Sequence, residues 1–470
     1  MTDHQRGDTL PPFSKAFTPN AERLFNRGVA FTNAFCSAPH CAPSRASFFS
    51  GLYPSMHGVW NNVMVSNALS RGLFDNVRLF SEDLRDAGYQ MYYSGKWHVS
   101  DIEGPEKRGF ENLYHPWNYR ENVNLPDTHD WAIYKSRPVD KAGDIRGNGE
   151  IIRPGYTRFK LYGTDENPFS DNDTVGQAVD KLRELNTGTP FCMFVGTQGP
   201  HDPYIPPQKF LDMYDIDDIK LPDSFYDKMD DKPALYRRTR DRFDQLTERE
   251  HKEALRRYLA FCTYEDYLFG QLLDVVEQRG LWDDTIILYL SDHGDYAGAH
   301  GLWAKGLPCF REAYNICAIA GGGGIRHSGR VENSLVSIAD FAPTILELSG
   351  IKTGREFTGM SLAPFFKHEN PPIWRTELFT QTNGNEIYGI QRAVFNGHCK
   401  LVYNTFDYDE FYDTERDPHE TVNEISNPEY AEKIRELYKK LWQFAYDNDD
   451  ACVVDYIMTA PAQFGPGCIM

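Results

Sequence analysis

The chain has 470 residues, 41% hydrophobic and 25% charged, with no uninterrupted apolar run near the roughly 18 residues a membrane span requires. Its 49 Lys and Arg against 68 Asp and Glu give a net charge of -19, which speaks against a broad basic face for nucleic acid or anionic lipid but leaves room for a small anion in a local cationic pocket. Nine Cys, an odd number without dense spacing, read as buried free thiols rather than a disulfide scaffold. No charged segment followed by an apolar stretch opens the chain, so as it stands it reads as cytoplasmic.

In chain order, helical periodicity is expected over 21–26 and 79–87, and short buried strands over 91–94 and 191–197, an α/β alternation. Long polar and aromatic stretches at 105–173 and 211–246 lack clean periodicity and read as loops around a binding site. Apolar residues at Leu255, Tyr258, Leu259, Cys262, Leu268, Leu272, Val275 and Val276 predict a helix over 250–280, stopped by Gly280. The β-branched and apolar run 285–290 predicts a strand ending at Ser291, Asp292, His293 and Gly294. That places polar residues at a strand's carboxyl edge, where open α/β sheets bind ligands. Strands are then expected at 388–395, 400–403 and 410–413, and a last helix over 429–446 with Ile434, Leu437, Tyr438, Leu441 and Phe444 on its apolar face. Residues 1–365 are therefore read as an α/β core and 366–470 as a small α+β subdomain.

Taken alone, Cys41-Ala42-Pro43-Ser44-Arg45 puts a Cys at a loop-to-helix junction, where backbone N–H groups and a guanidinium favour a thiolate or a bound anion. With the small and apolar residues 46–50 and Gly51-Leu52-Tyr53-Pro54 behind it, the run resembles the signature C-x-P-S-R, then G-x-x-P, of the sulfatase family in the alkaline phosphatase superfamily. The resemblance implies that a separate formylglycine-generating enzyme oxidises Cys41 to an aldehyde. One hydroxyl of its hydrate attacks sulfur and the other expels sulfate, a two-step covalent route. It also implies a large mixed β-sheet sandwiched by helices, followed by a C-terminal subdomain with a small antiparallel sheet and a helix.

Four further segments carry the same resemblance. Thr2-Asp3-His4-Gln5-Arg6 is similar to the family's first metal-binding turn; Asp3 matches, whereas His4 stands where the family has Asp, Asn or Gln. Asp292 and His293 match the second metal segment. With Asp3, His4 and an oxygen of modified Cys41 they imply one divalent cation acting as Lewis acid and template. Ca²⁺ is the first expectation, with Mg²⁺ or Mn²⁺ as alternatives, although an imidazole at position 4 suits softer metals than oxygen ligands do. Lys305, closing the stretch from Gly298, matches a lysine that stabilises charge on the sulfuryl group and leaving oxygen.

Gly95-Lys96-Trp97-His98 resembles the family's G-K-W-H, with Lys96 on the sulfate and His98 as the base that collapses the sulfated diol. Their i, i+2 spacing on an extended segment places both side chains on one face. His201, in Pro200-His201-Asp202-Pro203, matches a histidine beside the bridging ester oxygen, and Arg45 would hold the modified side chain through its planar fork. His300 reads as structural, Asp295 is assigned no role, and Asn61 and Asn62 read as turn or pocket residues. The family places a buried strand just before its first metal turn, whereas here the sequence opens at Met1-Thr2-Asp3. The expectation is either a natural chain that continues upstream or a gap in the sheet beside the metal site.

The implied activity is hydrolysis of a small anionic sulfate ester of a sugar, aryl or alkyl alcohol. Two alternatives stay open: a phosphonate monoester or phosphodiester hydrolase using the same site, and a non-catalytic binding protein that keeps the metal pocket.

Overall fold

Short runs of Val, Ile, Ala and Gly, many of them buried, form the strands of the core. In a four-stranded mixed sheet, Gly28–Phe31 pairs in parallel with Arg330–Glu332 and antiparallel with Ala318–Gly322, and Ile286–Leu290 completes the order. A second, three-stranded parallel sheet sets Gln90–Gly95 between Glu111–Tyr114 and Phe191–Gly196. This computed structural model describes residues 1–470 except 66, 117–144, 157, 326–328, 368, 370, 372, 386, 454 and 470, so the middle of the loop expected over 105–173 lies outside the described residues.

These two parts make up the large mixed sheet expected from sequence, joined at their carboxyl ends by residues 1–2, which bridge the facing edges. The Met1 amino group donates to Val195 O at 2.7 Å, and Thr197 N donates to Met1 O at 3.1 Å. On the other side Thr2 N donates to Leu290 O at 2.8 Å, and Asp292 N to Thr2 O at 3.1 Å. Beyond this bridge a cavity of about 660 Å³ separates the two edges, lined by Phe48, Leu268, Leu273, Ile287 and Tyr289 among others. The bridge matters for function because it holds Asp3 level with Asp292.

The helix expected over 250–280 runs Glu248–Gln278, started by a capping box in which Thr247 and Glu250 satisfy each other's backbone N–H groups. Helix Cys41–Ser50 is buried along its whole length. Phe49 accounts for much of that: its ring meets Phe194 at 4.9 Å, Trp97 at 5.1 Å and Phe80 at 5.5 Å between centroids, locking the helix to the three-stranded sheet. Gly51 ends it at φ 75°, donating to Ser47 O at 2.9 Å; a Cβ there would sit 2.5 Å from the Phe357 ring.

Toward the C-terminus, Leu378–Gly384, Tyr388–Phe395, Cys399–Asn404 and Glu410–Asp413 form an antiparallel sheet in chain order. Helix Ala431–Asp447 lays Ile434, Leu437, Tyr438, Leu441 and Trp442 against Val394, Leu401, Tyr403 and Phe411. Phe444, expected on that face, turns instead to Phe379 and Tyr53, with centroids at 4.1 and 5.0 Å. Strand Leu378–Gly384 is absent from the sequence expectation because it reads as polar. Its middle residue Gln381 is buried, taking a bond from Ser55 N at 3.0 Å, giving one to Asp450 at 3.0 Å and donating its own N–H to Ser37 O at 2.8 Å. Polar satisfaction, not alternation, holds this strand on the core. All nine Cys are free, and no helix among the described residues is long and apolar enough to cross a membrane.

Candidate active site around Cys41

Each conspicuous residue of the Cys41 run has a structural task. Cys41 is the first residue of its helix, and Asn62 Oδ1 accepts the next N–H, from Ala42, at 3.1 Å. Ser44 Oγ donates to Asp292 O at 2.5 Å, and Arg45 Nε donates to Asp292 Oδ2 at 2.8 Å. The Arg45 fork also reaches Lys96 O at 2.9 Å and lies 3.8 Å from Asp3 Oδ2. Ser44 and Arg45 therefore tie the Cys41 helix to the end of strand Ile286–Leu290 and to residues 3 and 96, with Arg45, Asp3 and Asp292 all fully buried.

Around the Cys41 thiol, Asp3 Oδ1 stands at 3.4 Å, His293 Nε2 at 3.3 Å and Lys305 Nζ at 3.3 Å. His293 Nε2 is 3.4 Å and His4 Nε2 3.8 Å from the same Asp3 oxygen. Donor atoms of Asp3, His4, Cys41 and His293 all lie within 4.8 Å of one another, and these are one carboxylate, two imidazoles and the side chain at 41, a set that suits a single divalent cation. Lys96 Nζ contacts Asp3 Oδ2, while Lys305 Nζ contacts His4 Nε2 and lies 3.3 Å from His201 Nε2. His201 and Asp202 are 24% and 23% exposed and form the open side of an otherwise buried cluster.

This crowding shifts the titrations. Burial and the Cys41 thiol push the Asp3 carboxyl up, but Lys96, His201 and His4 together outweigh them and hold it well below its usual range. Burial also raises the Cys41 thiol, and Lys305, Lys96 and His293 more than reverse that, leaving a strong thiolate tendency. His4 is held low by burial and then by Lys305, and burial brings His98 down to about 4. His201 and His293 rise despite burial, mainly through Asp202 and Asp292 respectively.

The catalytic and metal-ligand candidates read from sequence converge here, with two differences of geometry. The Asp292 carboxylate faces Arg45 and its own neighbour's N–H, with Oδ1 3.7 Å from His293 Nε2, and stands outside the tight four-donor group. His98 has φ 54°, so the chain is not extended from Lys96 to His98, yet its imidazole still feels the Cys41 side chain. His300 lies elsewhere, bonded to Asp227 at 2.8 Å and stacked on Phe310 at 3.5 Å.

Asp295, given no role from sequence, accepts at 2.8 Å from His4 Nδ1 and is held by Tyr204 OH at 2.9 Å and Ala297 N at 2.8 Å. Burial, followed by repulsion from Asp202, pushes its carboxyl up to about 7. Asp295 sits three residues beyond Asp292, but no local pattern reveals that it faces residue 4.

The sulfatase family model matches residues 2–351, and that of the N-sulphoglucosamine sulphohydrolase C-terminal region matches residues 298–447. A choline-sulfatase of Rhizobium meliloti is 29% identical over 444 residues, covering 91% of this chain and 82% of that protein. An arylsulfatase of Clostridium perfringens is 27% identical over 468 residues, covering 94% and 92%. Among solved structures, the phosphonate monoester hydrolase of Agrobacterium radiobacter superposes with a TM-score of 0.76 at 20% identity, covering 95% of this chain and 94% of that one. With a family model spanning most of its length and the signature residues gathered at one buried site, the chain belongs to the sulfatase family of the alkaline phosphatase superfamily.

Proposed function

We propose that this sulfuric ester hydrolase cleaves small sulfate monoesters at Cys41, which acts as formylglycine in the mature protein, beside one divalent cation. The observation that carries the reading is the side chain at position 41, buried at a helix start and met by two ammonium groups, two imidazoles and a carboxylate. That environment suits a nucleophile facing a tetrahedral sulfate-ester anion rather than an inert thiol.

When bound, the cation supplies Lewis acidity toward a sulfuryl oxygen. Asp3, His4, His293 and the residue-41 side chain would hold it, with Asp292 completing the set once shared with Arg45. Lys305 and Lys96 neutralise the sulfuryl oxygens, and their buried ammonium groups favour the anion more strongly than solvated ones would. His201 occupies the open side, where the alcohol departs, and its raised pKa suits it to donate a proton to the leaving oxygen. His98, brought down to about 4 by burial and beside residue 41, is neutral and suited to take the proton from the hydroxyl whose electrons re-form the aldehyde. Arg45 keeps the two metal-bearing segments and the Cys41 helix in register.

Choline, aryl and amino-sugar O-sulfates, the groups named for its relatives, are the substrates to try first. Mass spectrometry of the Cys41 peptide from the native host tests the first step: oxidation to the aldehyde lowers its mass by about 18 Da. A thiol there, in protein with no sulfate esterase activity, would overturn the reading in favour of a binding role. A kcat/KM for an aryl phosphonate above that for the matching aryl sulfate would overturn the choice of substrate.

A further inference from the structure

The first metal turn carries an imidazole at position 4, and the way that ring is held constrains what it can bind. His4 Nδ1 is bonded to Asp295 Oδ2 at 2.8 Å. Asp295 is itself fixed by Tyr204 OH and Ala297 N, and Tyr258 OH pins the His4 carbonyl at 2.8 Å. The ring therefore presents Nε2 to the cluster, 3.8 Å from Asp3 Oδ1 and within 4.8 Å of the donor atoms of Cys41 and His293. A carboxylate behind one ring nitrogen, with the other facing carboxylate and imidazole donors, is the arrangement by which outer groups orient and strengthen histidine ligands.

We propose that His4, oriented by Asp295, is a metal ligand and makes this site select a first-row transition cation over Ca²⁺. Ca²⁺ takes six to eight oxygen ligands, whereas two imidazoles among the protein donors suit borderline cations of the Co²⁺ and Zn²⁺ class. The competing structural role, in which His4 only accepts a hydrogen bond from Lys305, makes a different prediction. Lys305 has two further partners, Cys41 Sγ and His201 Nε2, each at 3.3 Å, so it does not depend on His4. The inference rests on the reading above only in placing a cation at this site.

The test is equilibrium dialysis of the metal-stripped full chain against Co²⁺ or Ca²⁺ alone, with the visible spectrum of bound Co²⁺ as a second readout. A Cys41→Ser background is used throughout, because a thiolate at 41 would itself favour soft cations. The parent is expected to bind Co²⁺ more tightly than Ca²⁺. His4→Gln, which restores an oxygen donor, should weaken Co²⁺ binding by about 10-fold or more, shift its spectrum and lower the Co²⁺/Ca²⁺ affinity ratio; Asp295→Asn should move the ratio the same way by a smaller factor. Ca²⁺ bound as tightly as Co²⁺ by the parent would overturn the proposal without any variant. So would an unchanged ratio and spectrum in folded His4→Gln protein. Neither readout needs turnover, so Co²⁺ selection here together with no sulfate-ester hydrolysis by the native-host protein with Cys41 intact would refute the functional reading and support this one.

Discussion

Replacing Arg45 by Met removes the guanidinium while keeping much of its volume, and the structure indicates what that costs. Arg45 Nε is the donor to Asp292 Oδ2 at 2.8 Å, and both side chains are fully buried; the other Asp292 oxygen is already engaged by His293 N at 2.9 Å. Without Arg45, a buried carboxylate faces Asp3 with His293, 3.7 Å away, as its remaining counter-charge. Breaking a buried pair from one side typically costs about 3–5 kcal/mol. If the loss comes from the abandoned charge rather than from packing, neutralising the partner should recover part of it. Arg45→Met with Asp292→Asn is then expected to be more stable than the sum of the single variants predicts, by about 2 kcal/mol, within the range measured for interacting pairs.

The assay is urea unfolding in chelator, so that metal binding does not add its own stabilisation, in a Cys41→Ser background that gives every protein the same residue 41. Far-UV circular dichroism and tryptophan fluorescence must give coincident transitions, because a chain of 470 residues need not unfold in one step. Additivity of the two substitutions to within about 0.5 kcal/mol would refute the assigned charge pairing, since independent sites behave that way.

Three further outcomes follow from the same structure. His201→Ala should depress hydrolysis of an alkyl sulfate by a factor in the range of about 10²–10⁴ and that of nitrophenyl sulfate far less, because a good leaving group needs no proton; equal losses would remove His201 from leaving-group protonation. Phe49→Ala should destabilise the chain by about 3–5 kcal/mol, seen as a lowered urea midpoint, because a fully buried ring with Phe194, Trp97 and Phe80 around it leaves a cavity; a loss under about 1 kcal/mol would mean the helix is anchored elsewhere. Burial raises Asp409 from 3.8 to about 7, so the folded chain keeps a proton that the unfolded chain releases, and stability falls as pH rises through that interval. Asp409→Asn should remove part of this decline, gaining more than about 1 kcal/mol on the parent between about pH 5 and pH 8; parallel stability curves would contradict the assignment.

Where function concentrates, the residues were legible in the sequence. Cys41, Ser44 and Arg45 are read from one short run, and Asp292 and His293 from the end of a β-branched strand, because a helix start and a strand end are local features with local signals. Helix Glu248–Gln278 and the strands at Tyr388–Phe395 and Glu410–Asp413 are likewise written in periodicity, since each buries one face or both. The partnership of His4 with Asp295 was not legible, nor was the polar strand Leu378–Gly384, nor the bridging of the core sheet by residues 1–2. The sequence alone determined which side chains are candidates for the chemistry and on which elements most of them ride. Only the tertiary structure decided which nitrogen of His4 faces the site, which charge Arg45 neutralises and which side chain lies open to solvent, because those depend on contacts between segments up to about 300 residues apart, where no local periodicity carries information.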